Sequence, residues 1–373
     1  MNIRKAFRAQ CEIVAMQDLY DLILFVDFNE HDLIVTSQKL YEDRLEILHD
    51  KCTFLIKDDF GHGPLTDEMI DSIASKVGAN FKRIIGIGSG SILELSKLLS
   101  LEKIAPFTDV FKEKIKIKKV RDLILVPTNP GTGSEVTPYA SVVIKSLGSQ
   151  YVLNDDALYA SYALLCPDLS LDIPFKIIAS SSFDGFIHAF ESYLSPIATT
   201  FSRALSFRSM ELFLKSWLYI STHGTGAINE KIKKLLEAGA MGGVSYANAG
   251  CAAIHALAYP LSVRLKIAHG EANYIVFFDV VNIYYLKKPL GLIDNIAELI
   301  ASILGCNKDE SFKTLERLCN NILMRKRLSS YGMRENQILE FTDMVMTRQN
   351  MLIANGYVPL TVGEIADIYK NLI

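Results

Sequence analysis

The chain has 373 residues, of which 50% are hydrophobic and 22% charged, and its formal net charge is −3. This length suits two domains of ordinary size. Lysine and arginine nearly balance aspartate and glutamate, which excludes the strongly basic surface typical of nucleic-acid-binding proteins. Charges such as Asp279 interrupt the apolar runs before they reach the ~20 residues that span a bilayer. Because the first twenty residues also lack the apolar core of a signal peptide, we expect a cytoplasmic protein without nucleic-acid or membrane partners.

The six cysteines are spread along the chain and form no C-x-x-C pair. In a chain of this size, such spacing is typical of isolated thiols and not of a disulfide framework or a zinc knuckle. We therefore expect reduced and mostly buried cysteines.

The first half of the chain alternates short β-rich apolar runs with segments of helix length. These runs are DLIVTS (32–37), CTFLI (52–56), RIIGIG (83–88), DLILVPT (122–128) and ASVVI (140–144). Strands separated by helices are typical of βαβ units and a parallel sheet. From about Ile173 onward, long helical periodicities replace the strand signals. The sequence predicts a dinucleotide-binding α/β domain over residues 1–175 and an all-helical domain over residues 176–373, packed closely with a cleft between them.

A glycine-rich turn follows the third apolar run, in RIIGIGSGSILELSK (83–97). Gly88 and Gly90 allow a tight turn, and the amides at the start of the following helix favour a bound phosphate. Ser91 and Glu94 have the S-x-x-E spacing of a capping box, which predicts that the helix starts there. A purely structural turn remains an alternative, because the third glycine of the dinucleotide fingerprint G-x-G-x-x-G is missing.

A second loop, PTNPGTGSEVTP (127–138), follows the apolar strand DLILV. It combines hydroxyl side chains, two glycines and an asparagine, so it offers many hydrogen-bonding groups and little bulk. An ordinary surface turn is the alternative. Two such loops after strands of one parallel sheet lie at the carboxyl ends of those strands, where open α/β folds bind ligands. Together they favour a nucleotide site.

Metal-ligand residue types occur in two helical segments of the second half. Asp184 and His188 are four residues apart in FDGFIHAFESYLSP and therefore lie on one helix face. His255 and His269 follow in GCAAIHALAYPLSVRLKIAHGEANY, where a helix is expected to end around Pro260. One carboxylate and three imidazoles suit a divalent transition metal. A hydrogen-bonded core histidine is the more common case for any single residue, so the residues alone leave both interpretations open.

Four segments, in this order, resemble the iron-containing (group III) alcohol dehydrogenase family. GSGSILELSK is similar to the family's GGGSxxDxxK, and PTNPGTGSEVT to its PTTxGTGSEVT. FDGFIHAFESYLS is similar to DALxHAxEAYxS, and GCAAIHALAYP with AHGEAN to the final histidine-bearing segments. The resemblance covers essentially the whole chain. It implies an N-terminal dinucleotide-binding domain and a C-terminal helical domain, with metal and nicotinamide meeting between them.

The resemblance also assigns roles to residues of this chain. It implies Fe²⁺ or Zn²⁺ on Asp184, His188, His255 and His269, and it makes His269 and Tyr259 the expected catalytic residues. Tyr259 stands where many members carry a histidine thought to relay protons, although a buried hydrogen-bonded tyrosine is the alternative. The residues expected to contact NAD are Ser37, Gly88, Ser89, Gly90, Ser91, Thr128, Asn129, Thr132 and Ser134.

Several positions depart from the family pattern. Many members end the second apolar strand with an acidic residue that binds the ribose of NAD, whereas this chain has Ser37. Without that carboxylate, NADP is not excluded as the cofactor. Ser89 replaces a glycine and Glu94 an aspartate, and a lysine common near the cofactor is replaced around Gln150.

Within the family the chain resembles the 4-hydroxybutyrate dehydrogenases of anaerobic bacteria. We therefore expect NAD(P)-dependent hydride transfer between 4-hydroxybutyrate and succinate semialdehyde, performed by a homodimer. Arg264 and Lys266 are candidate partners of the substrate carboxylate, with solvated loop charges as the alternative. A general short-chain alcohol dehydrogenase acting on butanol or 1,3-propanediol is the main competing function. A cyclase-type lyase on the related fold and a non-catalytic homologue are further alternatives.

Overall fold

The structure, a computed structural model, describes residues 6–78 and 80–373, so the first part of the segment tested for a signal peptide lies outside the described residues. The chain forms two compact units. The α/β unit consists of Ala9–Asn129 and Gly133–Ile173. The helical unit consists of Pro130–Thr132 and Pro174–Ile373, together with the segment that ends at Arg8.

The α/β unit is built on a six-stranded parallel sheet with the strand order β1-β8-β5-β4-β2-β3. Its strands are β1 (Glu12–Ala15), β2 (Asp32–Thr36), β3 (Thr53–Ile56), β4 (Arg83–Gly88), β5 (Asp122–Pro127) and β8 (Tyr162–Leu165), while β6 (Tyr139–Ile144) and β7 (Ser149–Asn154) form a separate pair.

The prediction of a parallel sheet is confirmed, but one predicted strand does not belong to it. ASVVI lies in β6, which pairs with β7 in an antiparallel hairpin. The sequence analysis also missed β1 and β8, which continue the parallel sheet on the far side of β5. β1 and β8 have only four residues each, too few to show a clear periodicity on their own. The hairpin strand β7 was not predicted either.

Apolar side chains cover the sheet on both faces, since alternate residues of a strand point to opposite sides. On one face, Leu33 and Val35 of β2 pack into a core formed with α3 (Asp67–Ala74), α4 (Gly90–Leu99) and α5 (Phe107–Phe111). On the other face, Ile34 packs with α1 (Leu19–Val26) and the segment around α2 (Gln38–Leu40). Burial on both faces explains why these strands read as continuous apolar runs.

The helical unit contains no strand among the described residues, as the sequence predicted. Its helices are α6 (Phe175–Leu194), α7 (Thr200–His223), α8 (Ile232–Ala249), α9 (Ala253–Leu265), α10 (His269–Lys287), α11 (Leu292–Leu304), α12 (Ser311–Ile322), α13 (Ile338–Arg348), α14 (Asn350–Ala354) and α15 (Val362–Leu372). Helix α6 is central, and residues 182–195 are all buried. Charged residues are rarely found on a helix that is buried on every side unless they are paired.

Two local expectations about helix ends were wrong. Helix α4 begins at Gly90 with Ser89 in the N-cap position and no side-chain cap, so Ser91 and Glu94 do not form a capping box. The chain already turns at Ser89 because Gly88 has a φ of 156°. Pro260 does not end α9, which continues to Leu265 and stops where Lys266 adopts the left-handed conformation.

All six cysteines are free, in agreement with the expected reduced thiols. Cys166, Cys251 and Cys319 are buried, while the other three are partly exposed. Within residues 6–78 and 80–373, no helix combines the length and the apolar character needed to cross a membrane.

Candidate metal and dinucleotide sites

Three of the four predicted metal ligands meet in the interior of the helical unit. Asp184 and His188 come from α6 and His255 from α9, and one ligand atom of each lies within 4.8 Å of the others. All three side chains are buried, between 0% and 4% exposed. The rings of His188 and His255 stack with their centroids 4.4 Å apart. Helix α6 therefore supplies two members of this compact group through its i,i+4 spacing. Helix α9 supplies the third, His255, which lies 67 residues after His188.

The fourth predicted ligand, His269, lies beside this group at the first residue of α10. Its Nε2 is 3.7 Å from Oδ1 of Asp184, the same separation as Nε2 of His255. The His269 side chain is 32% exposed, so the group is open to solvent on this side. A metal site that keeps an accessible side can admit a substrate oxygen.

Unpartnered polar atoms in the group fit a bound cation. Nδ1 of His188 and Nε2 of His255 are buried without a hydrogen-bond partner. Burial of nitrogen atoms without a partner is costly, and a metal ion satisfies such lone pairs. Nδ2 of Asn273 donates to Oδ1 of Asp184 at 2.7 Å and approaches Nε2 of His269 at 3.2 Å, which holds these two side chains together.

The ionisation of Asp184 and His188 also suits a divalent metal. Burial lowers the pKa of His188 to about 3, so its imidazole is neutral at physiological pH. Burial opposes ionisation of Asp184, but the neighbouring imidazoles outweigh it and lower the pKa of this carboxyl. One carboxylate and neutral imidazoles are the ligand forms that a transition metal requires.

Glu191 is a further candidate residue of the site, and it was not predicted from the sequence. It lies within the quoted FDGFIHAFESYLSP segment, three residues after His188, and is 1% exposed. Its Oε2 accepts hydrogen bonds from Nδ1 of His255 at 2.6 Å and from the amide of Ala252 at 2.8 Å, and its Oε1 accepts from Ile254 N–H at 2.6 Å. The sequence signal that could have indicated Glu191 was a carboxylate within a mostly apolar helical segment.

The bond to Glu191 sets which nitrogen of His255 faces the candidate metal. Nδ1 of His255 donates to Glu191, and this bond fixes the orientation of the ring. Nε2, on the other side of the ring, therefore faces Asp184. Burial alone lowers the pKa of His255, but Asp184 and Glu191 together raise it to about 9. The surplus of negative charge around this imidazole is a further sign that the site accommodates a cation.

A second group of ligand residue types, Glu191, Cys251 and His255, is equally compact. It does not have the chemistry of a metal site. The three hydrogen bonds described above already engage Glu191. Burial raises the pKa of the Cys251 thiol well above its usual value, which disfavours the thiolate form that coordinates metals.

Tyr259 lies next to the open side of the metal group. Its ring stacks on that of His269 with the centroids 5.5 Å apart and an interplanar angle of 17°. Because α9 continues past Pro260, Tyr259 is in the interior of the helix and not at its end. Arg264 pairs with Glu340 at 3.0 Å, and Lys266 is exposed at the end of α9.

In the α/β unit, three predicted cofactor-binding segments follow neighbouring strands. Ser37 follows β2, Gly88 ends β4, and Thr128 follows β5. The register pairs Gly88 with Pro127, and the amide of Thr128 donates to the Gly88 carbonyl at 3.0 Å. Ser89, Gly90 and Ser91 form the partly exposed start of α4, whose amides suit an anion.

The remaining residues of the second loop are placed differently. Asn129 approaches the hydroxyl of Thr128 at 3.4 Å. Thr132 belongs to the helical unit. Ser134 is buried and accepts a hydrogen bond from Nζ of Lys97 at 3.0 Å.

Lys97 and Glu135 are two buried ionisable residues that were not predicted as part of a site. The Lys97 ammonium also donates to Oγ1 of Thr137 at 3.2 Å and to the carbonyl of Tyr139 at 2.7 Å. Burial lowers the pKa of Lys97 to about 8 and raises that of Glu135 to about 7. With all three ammonium hydrogens engaged, Lys97 fixes the end of the second loop against α4.

Comparison with known proteins identifies the class to which these sites belong. The model for iron-containing alcohol dehydrogenases matches residues 15–167, and the model for the C-terminal part of the Fe-containing alcohol dehydrogenase family matches residues 178–373. The chain therefore belongs to the iron-containing alcohol dehydrogenase family, and it is an enzyme of that class. The expected family and its oxidoreductase activity are confirmed.

Individual relatives are similar to this chain over most of its length. 4-Hydroxybutyrate dehydrogenase of Clostridium kluyveri is 36% identical over 342 residues, covering 91% of this chain and 92% of the relative. Long-chain-alcohol dehydrogenase 1 of Geobacillus thermodenitrificans is 27% identical, covering 80% of this chain and 77% of the relative.

A solved structure shows the same fold. Sulfoacetaldehyde reductase of Bifidobacterium kashiwanohense in complex with NAD⁺ has a TM-score of 0.85 at 21% identity, covering 100% of this chain and 99% of that chain. The predicted iron agrees with the family assignment, because the family is named for its iron.

Proposed function

We propose that this enzyme interconverts 4-hydroxybutyrate and succinate semialdehyde, using a divalent metal and a nicotinamide cofactor. The observation that carries this substrate assignment is the 36% identity to 4-hydroxybutyrate dehydrogenase of Clostridium kluyveri over 91% of the chain. Similarity spread over both units supports a shared reaction better than a match confined to one motif.

The proposed metal ligands are Asp184, His188, His255 and His269. A divalent cation on these residues supplies Lewis acidity, which favours deprotonation of an alcohol and polarises an aldehyde. Asp184 contributes the negative charge, and Asn273 keeps Asp184 and His269 in position through its amide. The accessible side next to His269 is the proposed entry for substrate.

The proposed proton path begins at the hydroxyl of Tyr259. This side chain stacks on His269 and is only 8% exposed, so its hydroxyl is held beside the open side of the metal group. A nicotinamide cofactor bound to the α/β unit would supply the hydride acceptor for oxidation of the alcohol. The proposed contacts to NAD are the strand ends at Ser37, Gly88 and Thr128 and the start of α4.

One observation favours an uncharged alcohol as the competing substrate. Arg264, the candidate anchor for a substrate carboxylate, is already paired with Glu340. The relative from Geobacillus thermodenitrificans acts on long-chain alcohols, as its name states. A general short-chain alcohol dehydrogenase is therefore the second candidate function.

Metal analysis of the purified protein, followed by initial rates, tests both functions. We expect about one equivalent of iron or zinc per chain and the highest kcat/KM for 4-hydroxybutyrate among 4-hydroxybutyrate, 1-butanol and 1,3-propanediol, each measured with NAD and NADP. Faster turnover of the uncharged alcohols contradicts the substrate assignment and leaves the enzyme class intact.

Replacement of His269 tests the metal site. We expect His269→Ala to lower metal affinity by more than about tenfold and to remove alcohol oxidation, because a ligand is lost. His223→Ala is the matched control, since His223 is exposed at the end of α7. Full activity of His269→Ala without bound metal contradicts the proposed mechanism.

A further inference from the structure

The end of β2 lacks the acidic residue that binds ribose in many dinucleotide-binding folds. Ser37 occupies that position, and its hydroxyl accepts a hydrogen bond from the amide of Leu40 at 3.3 Å. Ser37 therefore caps the short helix α2. The neighbouring strand β3 runs parallel to β2, and the register pairs Thr36 with Ile56. Residues that follow β3 consequently lie beside Ser37 at the same edge of the sheet.

Asp58, in the turn after β3, brings a carboxylate to this position. Its Oδ2 accepts a hydrogen bond from the amide of Gln38 at 2.6 Å, so the carboxylate lies against the first turn of α2. Its Oδ1 is 3.1 Å from Nδ1 of His62. The Asp58 side chain remains 29% exposed, and each oxygen retains a lone pair for another donor.

The turn that carries Asp58 is held by a buried lysine. Lys57 is 4% exposed, and its Nζ donates to the carbonyls of Gly61 at 3.1 Å and Gly63 at 2.9 Å. These two bonds close the turn over residues 57–63. The position of the Asp58 carboxylate is therefore set by the fold.

The charges around Asp58 oppose a bound phosphate. A surface depression of about 640 Å³ is lined by Gln38, Lys39, Glu42, Asp43, Asp58, Asp59 and His62. Four of these residues are carboxylates, and the one lysine, Lys39, is 2.8 Å from Oδ2 of Asp43. A dianionic 2′-phosphate placed here meets net negative charge, whereas a ribose hydroxyl meets a hydrogen-bond acceptor.

We infer that Asp58 replaces the missing acidic residue of β2 and makes this enzyme prefer NAD over NADP. Its carboxylate accepts a hydrogen bond from a ribose hydroxyl of NAD and repels the 2′-phosphate of NADP. This inference rests on the proposed function, which places a dinucleotide at this edge of the sheet.

Dissociation constants of NADH and NADPH, measured by fluorescence titration without substrate, test the inference. We expect wild-type protein to bind NADH at least about tenfold more tightly than NADPH. Asp58→Asn keeps an oxygen that can accept the Gln38 amide but removes the charge. It should tighten NADPH binding by about tenfold and weaken NADH binding a few-fold, with the discrimination decreasing as salt is added.

Two further variants separate the effect of the Asp58 carboxylate from the effect of the total negative charge in the depression. Asp59→Asn removes one charge from the same depression at an exposed position and should change the ratio of the two constants by less than about twofold. Adding Ser37→Asp to Asp58→Asn should restore the preference for NADH, because it returns a carboxylate to the end of β2.

The outcomes distinguish the two levels of the proposal. Failure of the wild-type protein to bind either dinucleotide contradicts the proposed function itself. Binding of both with a ratio that Asp58→Asn leaves unchanged, or that Asp59→Asn shifts as strongly, overturns the role of Asp58. A wild-type preference for NADPH overturns it as well.

Discussion

His255 has a carboxylate near each of its ring nitrogens. Glu191 accepts the Nδ1 hydrogen bond at 2.6 Å, and Asp184 lies 3.7 Å from Nε2. Two backbone amides hold Glu191 in turn, so the acceptor of the His255 Nδ1 hydrogen bond is fixed in position. At the scale of single residues, we therefore expect the proposed metal site to depend on a side chain outside the proposed ligand set.

Glu191→Gln tests this positioning role. We expect metal affinity, measured by competition with a chelator, to fall about 10- to 100-fold, because an amide offers one acceptor oxygen and an NH2 donor to the three donors that the carboxylate accepts from, and it carries no charge to hold the tautomer of His255. Ser192→Ala is the control, since Ser192 is also buried on α6 and gives up only a hydrogen bond to the Gly250 carbonyl. If both variants lose thermal stability but neither loses metal affinity, Glu191 has only a structural role.

The residue types of the site were predictable, whereas the roles of their partners were not. Asp184 and His188 stand four apart on one helix, so their shared face follows from helix geometry alone. Glu191 lies in the same segment, but its bonds reach Ala252, Ile254 and His255 on a distant part of the chain. No local pattern indicates which remote donors a buried carboxylate will meet.

At the scale of elements, the approach of α10 to α6 brings His269 to Asp184. This approach depends on Gly270, the second residue of α10. A Cβ at Gly270 would lie 2.2 Å from the Ser180 carbonyl oxygen and 3.2 Å from Cβ of Asp184. The AHGEAN segment thus needs its glycine for close helix packing and its histidine for the site.

Gly270→Ala should push α10 away from α6 and carry His269 with it. We expect metal affinity to fall by more than about tenfold and the free energy of unfolding to fall by about 1–3 kcal/mol, the cost of overpacking. Isothermal titration with Zn²⁺ and chemical denaturation measure the two effects. In the control, Gly363→Ala in α15, the nearest atom is Oγ1 of Thr361 at 4.0 Å, so metal affinity should not change and the free energy of unfolding should not fall. Wild-type metal affinity in Gly270→Ala contradicts this account.

At the scale of the whole molecule, the candidate ligands come from three helices of one unit, so metal binding should stabilise that unit. Trp217 is the single tryptophan of the chain and reports on it specifically. It is 1% exposed on α7 and donates from Nε1 to Oγ of Ser182 at 2.9 Å. Its emission therefore changes when the helical unit unfolds.

Thermal unfolding followed by Trp217 emission should depend on metal. At a free metal concentration 100 times the dissociation constant, binding adds about 2.7 kcal/mol of stability. We expect the midpoint to rise by about 5–10 °C over the chelator-treated protein for a unit of this size. His269→Ala should show less than half of this rise at the same metal concentration, and an equal rise in wild type and variant contradicts the proposed ligand set.

The sequence alone determined the fold class, four of the six strands of the parallel sheet, the change to helices near Ile173 and the residue types of the candidate ligands. These features follow from local periodicity and from motifs of fixed spacing. The placement of β6 in a hairpin, the start of α4 at Gly90 and the continuation of α9 past Pro260 were decided by tertiary structure. Tertiary structure also decided that Glu191 anchors His255 and that Asp58 brings a carboxylate to the end of β2. The physical reason is that burial and hydrogen bonding between residues far apart in the chain select among conformations that local sequence permits equally.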